Sequence, residues 1–372
     1  MTWSFEWIQG GARKAPPALC TRWDAAFEDH GNIWQCREFV VAWETIISPV
    51  RQQVPILMVA HDTNSHEMVY PLFLTSDKSL RFKRGVIEPM GGRSFCDYQD
   101  ALSTGAEMLP QHDVSFWRTF RKELRGKLLE FGALSEFLAY RLSPSAGKHD
   151  IGAFESDISP VVSLKNETGL DSYLARRSKK LRQHISKGLK LLRERGCHRL
   201  IQVEPAQIAS AMEEFCDSYE KQWGREGNTH MLQLPGTREF WTALAMIAGR
   251  LHKLHFSSLT VGGEHWHWHL GFEHRGVILW YKLTYDRKFA QYSPGSLHLA
   301  LIIDDAIRRG VERLDLGFGS EDYKFRWTDD ASKLLSVSVQ RAPRRLAVAR
   351  TALALVRKSK RTMARMRGYR RF

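Results

Sequence analysis

Between Leu254 and Gly317 the apolar positions change period twice, and the change marks out a run of elements. Leu254–Val261, Trp266–Glu273 and Gly276–Thr284 alternate or run apolar over strand-like lengths. Gly262-Gly263 and His274-Arg275 separate them, so the three read as an antiparallel meander. A turn of Ser293, Pro294, Gly295 and Ser296 then opens a segment with Leu297, Leu301, Ile302 and Ile307 at helical spacing. Val311–Gly317 follows as a strand, the layout of a βαβ unit. A polar-aromatic cluster, Gly319 to Trp327, comes next, and Leu334–Gln340 reads as a last strand.

The same reading extends upstream. Val161–Leu164 and Leu200–Val203 are short strands, and helices are expected at Leu170–Arg195, Gln207–Trp223 and Thr237–His252. In the first half, Val40–Ile47 is helix-like, Ile56–Ala60 and Met68–Leu74 form a hairpin, and Phe82–Met90 is a strand. Phe116–Phe131 reads as an amphipathic basic helix and Ala133–Leu142 as a strand. Turn chemistry from Pro144 to Gly152 divides the chain, giving units of 1–150 and 151–340 with a tail, 341–372. A length of 372 residues fits two such units.

Composition narrows the class. With 43% apolar and 26% charged residues the chain is globular. Five scattered cysteines without CxxC spacing propose neither a disulfide framework nor a zinc site and suit a reducing cytoplasm. The N-terminus lacks a signal-peptide pattern, and no apolar run is long enough to span a bilayer. The net charge is +14, but Arg341–Phe372 carries twelve Arg or Lys and no acid, so the body is nearly neutral. That argues against a nucleic-acid binder throughout. The tail places Leu346, Ala349, Leu353 and Val356 on one stripe among cations, which suits either an anionic membrane surface or a loose cationic extension. No Ser-His-Asp order, Walker loop, HExxH or EF-hand spacing occurs.

Chemistry concentrates in the second half. Free N–H groups at the start of the helix after Ser293 suit a phosphate or pyrophosphate; the plainer reading is a proline-started cap. His265, His267 and His269 fall on one face of a regular strand and Trp266 and Trp268 on the other. That spacing spreads the rings too far for a metal site, and none is expected. His269, mid-strand, is a candidate proton acceptor, or else a satisfied cleft histidine. Asp286 and Asp315 close strands, whereas Asp304 and Asp305 lie on a helix surface. Leu170–Arg195 carries nine Arg or Lys and one Glu, a solvated face or a guide for an anionic partner.

These residues carry a resemblance. Tyr285-Asp286, Tyr292-Ser293-Pro294-Gly295, Asp315 with Gly317, and Tyr323-Lys324 with Trp327 resemble the C-terminal half of bacterial GNAT acyltransferases of the CelD-like group, relatives of the FemAB peptidyltransferases. Ser172–Gly196 resembles the basic helix opening that domain; Pro71-Leu72, Met90-Gly91-Gly92 and Asp97-Tyr98 are similar in the first half. The resemblance implies an α/β fold of tandem GNAT-like lobes, each a mixed, mostly antiparallel sheet flanked by helices. It implies transfer from acetyl-CoA or another acyl-CoA to an amine or hydroxyl of a saccharide, lipid-linked or small-metabolite acceptor. It implies a setting in exopolysaccharide biosynthesis, expected in the cytoplasm or, through the tail, peripheral at the inner face of the cell membrane. Tyr292, Ser293, Gly295 and Ser296 would hold the pyrophosphate; His269, Asp286, Tyr323 and Lys324 would serve catalysis, Tyr323 by protonating the thiolate. The GNAT signature of Arg or Gln, two residues, Gly, one residue, Gly or Ala here reads Tyr292, Gly295 and Leu297, departing at two of three places. Two further readings stand beside acyl-CoA transfer: a FemAB-like enzyme using aminoacyl-tRNA on a cell-wall precursor, and a non-catalytic GNAT scaffold.

Overall fold

A computed structural model describes residues 3–63, 66–76, 85–104, 119–120, 123, 128–135, 151–195, 198–224 and 230–339. Most of the expected Phe116–Phe131 helix, the turn region up to residue 150 and the basic tail lie outside the described residues.

The first half contributes β1 (Trp3–Gln9), helices α1 (Pro17–His30) and α2 (Arg37–Ala42), then β2 (Val54–Asp62), β3 (Glu67–Ser76), β4 (Gly85–Pro89), β5 (Leu102–Ser103) and β6 (Leu128–Ser135). The second contributes β7 (Ile151–Ser163), α3 (Lys179–Glu194), β8 (His198–Gln202), α4 (Ile208–Trp223), α5 (Thr237–Arg250), β9 (Leu254–Val261), β10 (Glu264–His274), β11 (Val277–Tyr285), α6 (Pro294–Arg308), β12 (Arg313–Asp315) and β13 (Ala331–Val339).

The two halves repeat one topology. β1 to β4 form an antiparallel meander and β6 then runs parallel to β4; β8 to β11 form a second meander and β12 runs parallel to β11. The halves are joined by an exchange of strands. β13, from the end of the second half, inserts between β6 and β7, while β7 reaches past it to pair with β12 through Val161–Ser163. This is the mixed, mostly antiparallel α/β architecture, two sheets flanked by helices, that the tandem GNAT-like expectation describes.

Packing ties the halves further. One aromatic core takes Trp23, Phe39, Trp43 and Phe73 from the first half and Phe215, Trp241, Phe256 and Phe272 from the second. Burying such side chains is the main source of stability in a fold of this size. The opposite face of the second sheet packs on α3 and α6 through Ile185, Leu192, Leu297 and Ile303.

Three local expectations change. The long basic helix breaks at Arg176–Ser178, where Ser178 caps α3 by accepting a hydrogen bond from Leu181 N at 3.2 Å. Residues 128–131, expected in a helix, are in β6. A register shift between His265 and His267 also inverts the parity of β10. Trp266 consequently packs with Phe289 and Tyr292 in the α6-side core, and Trp268 joins the other core. His265 stacks on Trp268, so it does not share a face with His267 and His269, which turn toward α6.

Candidate active site

β11 and β12 pair over three residues only, Val277–Leu279 with Arg313–Asp315. Beyond that point β11 continues to Tyr285 while the other chain leans away onto β7, where Leu316 N donates to Pro160 O and Gly319 N to Ile158 O. The ladder therefore parts between Trp280–Tyr285 and Leu316–Gly319, a gap that is narrow at Gly317, where an added Cβ would lie 3.4 Å from Trp280 O. Gly317 sits on its edge at φ 72°, a left-handed conformation that favours glycine.

A loop from the first half closes onto this gap. After the left-handed Gly91 and Gly92, the short helix Gly92–Phe95 brings Cys96, Asp97 and Tyr98 against β12. Tyr98 donates to Asp315, Ser159 Oγ donates to Asp315 Oδ1 at 2.7 Å, and Gly317 N donates to the same oxygen at 2.9 Å. Asp315 is thus a fixed acceptor that locks the loop, β7 and the turn at Gly317 together.

Asp97 is the exceptional member. It is buried, and its Oδ2 has no hydrogen-bond partner among the described residues. A Cβ placed on Gly317 would lie 3.6 Å from that oxygen. Burial pushes the carboxyl up to about 6, a rise that the neighbouring Asp315 reinforces and that Lys282, Lys324 and a hydrogen bond from the Phe318 backbone N–H oppose. Burial in turn lowers Lys282, which Asp97 steadies. The buried indole N–H of Trp280 faces the Tyr323 hydroxyl and makes no other hydrogen bond among the described residues. A partnerless carboxylate oxygen beside the Trp280–Tyr323 pair marks a place where a polar ligand fits.

The residues singled out in the sequence occupy different positions around this gap. Tyr323 is half-buried beside Trp280, with its hydroxyl raised by burial and by Glu321. Lys324 is buried, and Nζ donates to Gly317 O at 3.0 Å and Phe318 O at 2.8 Å and meets Glu321 at 3.0 Å. With its protons so used, it acts on the gap by holding the Gly317–Gly319 turn. His269 lies in the core. Its Nε2 faces Leu279 O at 3.3 Å, its Nδ1 faces His255 Nδ1 at 3.4 Å, and its ring stacks on Trp280. Burial and the rings of His255 and His267 hold it well below the usual histidine range. Asp286 caps the turn after β11, accepting from Lys288 N at 3.0 Å, and is partly exposed.

The Ser293 turn lies at the far end of β11. Ser293 takes φ 53°, and Ser296 N folds back onto Ser293 O at 2.9 Å. A Cβ on Gly295 would meet His267 Nε2 at 3.2 Å, so glycine lets α6 approach β10 closely. The two departures from the GNAT signature have structural counterparts. Leu297 is buried over Gly188 of α3 and so projects away from the outer side of the turn. Tyr292 stacks on Trp266 and accepts a hydrogen bond from Arg195 Nη2 at 2.6 Å, which brings a cation beside the turn from α3. No helix of the described residues is long and apolar enough to cross a membrane.

The family resemblance includes Asp97-Tyr98 but gives them no role. Lys282 and Trp280 were missed, because their significance depends on the first-half loop that covers them.

Comparison with known proteins bears on the fold that carries these residues. Residues 179–325 match the family described as acetyltransferase (GNAT) domain. The fold is similar to that of FemX, at 8% identity and a TM-score of 0.56 over 90% of this chain and 96% of that one. It is similar to L-PGS from Bacillus licheniformis, at 11% identity and a TM-score of 0.54 over 89% and 94%. It also resembles the C-terminal domain of a putative lysylphosphatidylglycerol synthetase from Agrobacterium fabrum, at 12% identity and a TM-score of 0.51 over 90% and 93%. At such identities the likeness is one of fold. No curated protein sequence matches the chain.

Proposed function

We propose that the chain is an acyltransferase whose acyl-CoA thioester lies in the gap between β11 and β12. The observation that carries this reading is the buried, unpartnered Asp97 oxygen facing Gly317 across that gap. The acceptor amine or hydroxyl attacks the thioester carbonyl and gives its proton to Asp97. The C–S bond then breaks, and Tyr323 supplies a proton to the departing thiolate. A carboxyl near 6 is ionised at neutral pH yet basic enough to take a proton, which is what a general base needs. Asp97, rather than His269 with both ring nitrogens occupied, fills that role. Lys324 and Asp315 hold the turn, and Trp280 N–H exchanges the Tyr323 hydroxyl for the acyl oxygen when the thioester binds.

The pyrophosphate sits at the Ser293–Ser296 turn, with Arg195 replacing the long side chain that Tyr292 lacks. Residues 151–340 form the donor lobe and 1–150 complete it by supplying Asp97. The Tyr292-Ser293-Pro294-Gly295 turn supports a place in the CelD-like group. The acceptor belongs to the saccharide, lipid-linked or small-metabolite classes.

One observation favours a second donor. α3 exposes Lys179, Lys180, Arg182, Lys187 and Arg193, and among the described residues only Lys190 is ion-paired along the helix, to Glu194. An aminoacyl-tRNA would suit that surface, as a FemAB-like reading requires. Calorimetry with acetyl-CoA and longer acyl-CoAs separates the two. Binding of at least one acyl-CoA, weakened by Arg195→Ala, is expected. Absence of any acyl-CoA binding, together with co-purifying RNA whose retention falls steeply with salt, would replace this donor with tRNA.

A further inference from the structure

On the side of β12 away from the Ser293 turn, the two halves enclose a cavity of about 820 Å³. Its deep end reaches Tyr98, Leu279 and Asp315, at the apex of the gap that holds the thioester in the reading above. That volume suits a small molecule or a lipid headgroup. At the mouth stand Arg275, Arg313 and Lys333.

The two arginines differ from their neighbours. Arg309 pairs with Glu273 and Asp305, and Arg308 pairs with Asp304. Arg275 and Arg313 have no side-chain hydrogen bond or ion pair among the described residues. They are also close in space, since Arg313 N donates to Gly276 O and Arg313 is the register partner of Val277. Arg275 occupies the turn between β10 and β11 at φ 52°, followed by Gly276 at φ 69°. The preceding hairpin meets the same demand with Gly262 and Gly263, at φ 59° and 84°. Side chains are disfavoured in this conformation, so Arg275 places a long cation where the chain elsewhere uses glycine.

The two lining carboxylates, Asp315 and Asp100, offset part of the charge of Arg275, Arg313 and Lys333 and leave it positive. Asp315 is occupied by Tyr98, Ser159 and Gly317. His274 is buried with Nε2 on Phe27 O and is held below the usual histidine range by burial. His30 lies between Asp29 and Ser103 O. Asp100 is the one further carboxylate among the lining residues.

We propose that this cleft takes the acceptor, and that the acceptor carries a phosphate group gripped by Arg275 and Arg313. Two guanidiniums side by side match the geometry and charge of a phosphate, with Lys333 adding to the field. Three residues of β12 and its continuation separate Arg313 from the gap, so phosphate and nucleophile are roughly 10 Å apart. The proposal rests on the acyltransferase reading for the acceptor's role.

The experiment uses the full chain and two probes. Glycerol 3-phosphate is titrated by calorimetry, and phosphatidylglycerol vesicles are compared with phosphatidylcholine vesicles by sedimentation. The wild type is expected to bind at least one phosphate probe. The double variant Arg275→Ala/Arg313→Ala should lose at least tenfold in affinity for it, with acetyl-CoA binding and melting temperature unchanged; Arg275→Lys/Arg313→Lys should retain part of it. Binding of glycerol 3-phosphate identifies a soluble phosphoester acceptor, and Arg-dependent binding of anionic vesicles alone identifies a lipid headgroup. No binding to either probe, or equal binding by the double alanine variant, overturns the proposal. Loss of acetyl-CoA binding in the wild type with Arg-dependent phosphate binding intact would sink the acyltransferase reading and leave the cleft standing.

Discussion

Asp97→Asn should reduce acyl transfer by about 10²–10⁴-fold, the range that a positioned general base contributes. The substitution keeps the size of the side chain and removes its ability to take a proton. The fold should survive it. Burial raises the Asp97 carboxyl to about 6, so at pH 7 the native state carries an ionised group that burial disfavours. Asparagine removes that penalty, while Lys282 loses a favourable neighbour, and the two changes offset. The melting temperature should therefore move by only a few degrees. In the wild type, kcat/KM should fall as pH drops through about 6, because protonated Asp97 cannot act as a base. A variant that retains most activity, or a wild-type profile flat from pH 7 to 5, would remove Asp97 from the mechanism.

Acidification should also unfold the protein, for a separate reason. His255, His267, His269 and His298 are buried together between β9, β10 and α6. His267 Nδ1 lies 2.7 Å from His298 Nδ1, and Ser257 Oγ lies 3.0 Å from His298 Nε2. Burial lowers His255 to about 4 and His267 to about 3, and puts His269 and His298 well below their usual range. Each ring is neutral when folded and protonates near 6.5 when unfolded. The unfolded state therefore binds more protons below 6.5, and stability present above that pH is lost as pH falls. Each ring contributes about 1.4 kcal/mol per pH unit over this window, so the four together contribute at most about 5–6 kcal/mol per pH unit, or roughly 8 kcal/mol between pH 6.5 and 5. Asp97 works in the opposite direction between about 6 and its unfolded value, but it is a single group. Against a typical reserve of about 5–15 kcal/mol, unfolding is expected near pH 5. Urea titrations at pH 7, 6 and 5 measure this directly, and a stability unchanged across the three would show that the rings are not buried neutral. Replacing His255 by glutamine should remove roughly one proton from the slope.

The meander, the helix after Pro294 and the parallel return to β12 were legible because their apolar periods are long and their turns carry glycine or proline. Period counting could not reveal the shift at His265–His267, since an extra residue in a strand leaves composition unchanged and reverses every later side chain. The break before α3 was hidden because Arg176-Arg177-Ser178 lies within a run of cations, and only the Ser178 hydrogen bond reveals a new start. The exchange of β7 and β13 is a long-range pairing with no local signature. The site divides along the same line. Tyr323, Lys324 and the Ser293 turn stand near one another in sequence and were picked out. Asp97 acquires its meaning from Lys282, Gly317 and Asp315, which meet it only in the fold.

The central claim is that the acyl donor lies between β11 and β12 against Asp97. A crystal structure of the protein with a thioether analogue of acetyl-CoA tests it most directly. The sulfur and acyl carbon should lie between Trp280 and Gly317 within hydrogen-bonding reach of an acceptor at Asp97, with the pyrophosphate on the Ser293–Ser296 turn beside Arg195. An analogue bound elsewhere, with the gap closed by Trp280 or Tyr323, would contradict the account.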